Sequence, residues 1–103
     1  MQGSDLALEK LRQAVHELDT SGRIQERLSR AATYLMQVRP EDLSNNEMRR
    51  MLVGIKDDLT FNEPAGREDR IACTLRVTDD ADADAIASRI VKLFRALGQA
   101  SEP

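Results

Sequence analysis

Apolar residues return at steps of three and four along four stretches of this chain, a spacing that fits helices and little else. Ile24, Leu28, Ala31, Leu35 and Val38 show it most plainly. In an α-helix they share one face, whereas a strand would scatter them over both. Leu8, Leu11, Val15 and Leu18, widened by Ala7 and Ala14, make a similar seam, which predicts a first helix over about residues 5–18 with Ser4 as its cap. Asp19-Thr20-Ser21-Gly22 then stops one helix and offers Thr20 or Ser21 to cap the next. A second helix is expected over about 23–38. Pro40 ends it, because the residue before a proline avoids helical backbone.

Arg39 to Leu43 suits a short turn, with proline first and acids following. Ser44 with Glu47 three residues on matches a capping box. The third helix then runs to about Leu59, carrying Met48, Met51, Leu52, Ile55 and Leu59 on one side and Gly54 on its flank. Residues 60–70 read as a polar loop broken by Pro64 and Gly66. Ile71, Cys73, Leu75 and Val77 alternate with Ala72, Thr74, Arg76 and Thr78, the period of a strand. A single strand has no partner in a helical chain. The segment is expected to lie extended over the bundle; pairing with a second copy, or a short helix with Ile71 and Leu75 inward, are the alternatives. A last helix starts at Asp79 or Asp80 and stops near Leu97, with Gly98 as terminator. Its seam of Ile86, Ile90, Leu93, Phe94 and Leu97 is flanked by Ala83, Ala87 and Val91, wide enough for two neighbours or for a partner chain.

The 103 residues suit one domain, residues 1–103, with an all-α, mostly antiparallel four-helix bundle as its expected fold. The rival is a three-helix core whose last helix is swapped into a partner. The apolar and charged fractions, 41% and 32%, fit a globular chain rather than a disordered one. No apolar run nears the roughly 20 residues that span a bilayer, so no membrane is expected. The first residues lack the basic and apolar runs of a secretory leader, and a lone Cys73 forms no internal disulfide. Both point to the cytoplasm. Net charge is −3; residues 1–52 hold eight basic and eight acidic side chains, and 53–103 hold seven and ten. That balance argues against general nucleic-acid binding, which draws on a basic excess.

Few residues carry chemistry. Asp79, Asp80, Asp82 and Asp84 invite a calcium reading. Counted from Asp80, however, Ala85 falls where the loop glycine belongs and Val91 where the bidentate glutamate belongs. Acids at a helix start offset its dipole instead. His16 lies off its helix's seam with no second ligand at helical spacing, so no metal and no cofactor are expected. Cys73 alternates with apolar residues and reads as a buried, inert thiol. The sharpest polar feature is a flank of the second helix. Arg23, Arg27, Arg30 and Tyr34 there suit a phosphate, a carboxylate or RNA, or else lay their stems over the core edge and pair with acids.

Ser21, Gly22, Ile24, Glu26, Arg27 and Leu28, with Ala72, Thr74, Leu75, Arg76, Asp79, Ala83, Ile86 and Ala87, resemble short uncharacterised bacterial helical proteins. The resemblance implies a bacterial, stand-alone helical protein and brings no activity or ligand with it. With no catalytic constellation, the expected role is a non-enzymatic interaction or regulatory module that forms a homodimer and has an unknown protein partner. Apolar Met36, Val53 and Val91 lie beyond a single seam and support it. Ile71, Leu75, Val77 and Val91 are the expected interface, and a nucleic-acid or phosphate-ligand binder on the arginine flank is the alternative.

Overall fold

The computed structural model describes residues 3–62 and 69–100. Among these are five α-helices and no strand: α1 (Gly3–Leu18), α2 (Ile24–Leu35), α3 (Asn46–Leu59), α4 (Arg70–Arg76) and α5 (Asp80–Ala100), with a 3-10 turn at Pro40–Asp42. The fold is all-α as expected, with one helix more than the four apolar stripes imply.

Each long helix buries the stripe that its sequence carries. Leu11 and Ala14 of α1, Leu28 and Leu35 of α2, Leu52, Ile55 and Leu59 of α3, and Ile90 and Leu93 of α5 are all fully buried in one core. The wide stripe of α5 has its explanation within the chain, since α5 packs on α1, α2 and α3. α4 bridges α2 and α3.

α4 stands where an extended segment was the first expectation. Asp69 caps it, accepting from the Ala72 amide at 2.9 Å. The alternation fails at Thr74, which the strand period turns outward and which is fully buried. Thr74 and Leu75 share the inward helical face while Val77 is left outside, 60% exposed. Burial of the Thr74 hydroxyl is tolerated because it accepts from the Asn62 amide at 3.2 Å. Of the alternatives, the short helix is the one that forms.

The helix ends bring further corrections. α2 stops at Leu35, short of Val38, although Val38 is itself buried. Neither Thr20 nor Ser21 caps α2; Arg23 occupies the cap position and makes no side-chain cap bond. Asn45 rather than Ser44 caps α3, accepting from the Glu47 and Met48 amides at 2.7 and 3.2 Å. Gly98 lies inside α5, where its backbone shows no left-handed twist to end the helix. Gly22 alone among the described glycines has positive φ, +116°, and turns the chain between α1 and α2. Gly54 admits a close neighbour: a Cβ there would sit 3.3 Å from an Arg89 guanidinium nitrogen.

Candidate functional site

Two large apolar side chains stand out of the surface together. Phe61 and Val77 are 63% and 60% exposed and line one hollow of about 260 Å³, with Ala85, Ile86, Asp82 and Arg89 around it. Local bonding explains why Phe61 points outward. Beside it, Asn62 is fastened to α4 by its amide on Thr74 Oγ1 and by its carboxamide on Cys73 Sγ, the latter at 3.2 Å. Val77 is the residue at which α4 ends, beyond the two turns that face the core. The floor is Ile86, buried in α5.

Two carboxylates, Asp58 and Asp82, and one guanidinium, Arg89, line this hollow. Asp58 ends α3 and Asp82 opens α5 beside it. Asp79 caps α5 by accepting from the Asp82 amide at 2.8 Å, and Asp80 accepts from Gln25 Nε2 at 2.8 Å. Both are exposed. The cation in the hollow's wall, Arg89, is ion-paired with Asp58. The aspartate run is thus a capping cluster at a helix start, and no group of three potential metal ligands occurs among the described residues.

The arginine flank of α2 does not converge on one point. Arg27 turns back on the α1–α2 connection, donating to the carbonyls of Gly22 and Leu18 at 3.0 Å each. Arg30 donates to Thr20 Oγ1 at 2.9 Å and to the Ser21 carbonyl at 2.8 Å, and pairs with Glu17 at 3.3 Å. Tyr34 leans the other way, into a shallow hollow on α1 shared with His16 and Glu9. Arg23 faces a cleft between α2 and α4 that Arg30 also lines. Arg27 and Arg30 hold the α1–α2 turn together, Arg27 through carbonyls alone and Arg30 with a carboxylate as well.

The expected interface set also divides. Leu75 is buried in its own chain's core, and Ile71 packs against that core. Val77 opens on the Phe61 hollow. Val91 lines another hollow with Ala87, Asp84 and Lys92, nearly opposite on the α5 wheel at about 100° per residue. One flat interface cannot take both valines. Sequence periodicity missed Phe61 altogether; its one signal was an aromatic residue just past a helix end in an aromatic-poor chain.

Cys73 is buried, as its alternation with apolar residues predicts, and His16 is exposed. Lys56 reaches across to donate to the Val38 carbonyl behind α2. Burial there pushes its ammonium below the usual lysine range, partly offset by Glu41 and Asp42. No described helix is long and apolar enough to cross a membrane.

This site and fold define an all-helical chain with an exposed apolar spot where the end of α4 meets the start of α5. Compared with protein-family models, curated proteins and solved structures, the chain matches none.

Proposed function

We propose that this chain is a non-enzymatic protein-interaction module that docks a partner segment on the Phe61–Val77 spot. The observation that carries the reading is the pairing of two large apolar side chains, each more than half exposed, across one hollow. Apolar anchors seated in such hollows supply most of the affinity of small interfaces. Among the described residues, the other exposed large apolar side chains are Leu6 on α1 and Val53 midway along α3.

The rim indicates the partner's chemistry. Asp58 and Asp82 line it, and Arg89 there is already paired with Asp58, so a segment with an apolar anchor beside a lysine or arginine is complementary to the carboxylate left over. A second copy fits less well, because a two-fold contact through Val77 would bring both sets of carboxylates together. The alternative, a nucleic-acid or phosphate-ligand surface on Arg23, Arg27, Arg30 and Tyr34, has less support because Arg27 and Arg30 are engaged in the α1–α2 turn.

Selection of a displayed random-peptide library on the immobilised chain tests this reading. Enrichment of a Leu, Phe or Trp anchor beside basic residues is expected, and it disappears on the Phe61→Ser, Val77→Ser double variant. Sequences without a basic flank, or equal enrichment on the variant, contradict it.

A further inference from the structure

The Phe61 spot has a counterpart on the other side of α5. Leu18, Ile24, Ala87 and Val91 give a hollow of about 420 Å³ its apolar lining, where the end of α1 and the start of α2 meet α5. Its charged lining is Arg27, Lys92 and Arg95 against one carboxylate, Asp84. Arg27 directs its hydrogen bonds to the carbonyls of Gly22 and Leu18, which leave its charge uncancelled. Lys92 and Arg95 are exposed and form no hydrogen bond or ion pair among the described residues.

The charge left over at the Phe61 spot has the opposite sign. Arg89 cancels Asp58 there, and the exposed Asp82 carboxylate has no ion pair among the described residues. Each hollow therefore sets apolar surface beside charge that the other complements. Phe61 is also the most exposed of the large apolar side chains described, a projecting anchor for an apolar-lined socket. The two hollows lie nearly opposite each other around α5, with Ala85, Ile86 and Arg89 on one side and Ala87, Val91 and Arg95 on the other. Opposed patches cannot meet through a two-fold axis, so a contact that joins them runs head to tail. It also keeps the Asp58 and Asp82 sets of two chains apart.

We propose that this chain associates head to tail with a second copy, Phe61 of one chain seated in the Val91 hollow of the next and Asp82 facing the Lys92 and Arg95 of that neighbour. This contact rests on the reading of the Phe61–Val77 spot as a docking surface and names its partner. Val91 beside Lys92 and Arg95 is an apolar anchor flanked by cations, the chemistry that spot complements.

Sedimentation velocity of the full chain, from micromolar to millimolar concentration, tests it. The mean mass is expected to rise past two chains as concentration increases, because each added copy leaves a free hollow, and to rise less in high salt. Phe61→Ser disables one end and Arg95→Glu the other, so each variant alone should associate at least about tenfold more weakly than the parent. Mixed in equal amounts, the two variants should form a two-chain complex and stop there, since each supplies the end that the other lacks. A parent that stays at one chain, a parent that stops at two, or a mixture that associates no better than its parts overturns the proposal. Peptide binding separates this from the reading beneath it. A one-chain parent that binds a library-selected peptide through Phe61 overturns the head-to-tail contact alone; a peptide that binds Phe61→Ser as it binds the parent overturns the docking surface with it.

Discussion

Asn45, one residue past Ser44, satisfies two amides at the start of α3 and so sets where that helix begins. Ser, Asn and Asn follow one another at positions 44–46, and all three suit a cap; only the backbone's entry angle selects among them. Asn45→Ala should therefore cost about 0.5–2 kcal/mol in chemical denaturation, while Ser44→Ala leaves stability within error. The reverse ranking would return the cap to Ser44. Lys56 gives a second test at this scale. Its pKa is lowered in the folded chain from 10.5, so between the two values the unfolded state binds more protons and stability rises with pH. Relative to Lys56→Met, the parent should gain thermal midpoint as pH goes from about 7 to about 10. A constant or shrinking difference would show that burial does not dominate at this ammonium.

At the level of helices, two glycines should respond with opposite sign. Gly98 has ordinary helical backbone within α5, and an added Cβ would meet Leu8 Cδ1 at 4.0 Å, a normal contact. Gly98→Ala should stabilise by about 0.5–1 kcal/mol, the helix-interior cost of glycine. Gly22→Ala should destabilise by about 1–2 kcal/mol, since its φ of +116° is strained for any L side chain and Glu26 Oε2 lies 3.1 Å from the new Cβ. Equal signs would refute the helical continuity of α5 through residue 98. The four long helices were legible because each carries two or more apolar turns, which fixes the period. α4 was not. Seven residues hold only two turns, and its inward face includes Thr74, a polar residue whose burial depends on Asn62 twelve positions away. Thr74→Val should leave that amide unpaired, and faster hydrogen exchange confined to residues 60–62 and 70–78 would show it. Unchanged exchange there would mean that α4 stands without Asn62.

Across the whole molecule, periodicity locates what is buried, and the candidate site is made of what periodicity leaves over. Val77 was legible as apolar but placed on an inward strand face; Phe61 carried no pattern at all. They meet because Asn62 fastens the end of α3 to α4, a contact that no local spacing announces. The arginine flank was legible as a row on α2, yet its members part because the Gly22 turn brings carbonyls within reach of Arg27 and Arg30. The proposed function requires that Phe61 and Val77 anchor a basic partner segment. It is tested most directly by fluorescence anisotropy of one labelled, library-selected peptide against four proteins: the parent, Phe61→Ser, Asp82→Asn and Arg23→Gln. We predict roughly 30-fold weaker binding for Phe61→Ser, as for an interface hot spot, a smaller and salt-sensitive loss for Asp82→Asn, and no change for Arg23→Gln. Binding by Phe61→Ser equal to that of the parent would contradict the claim.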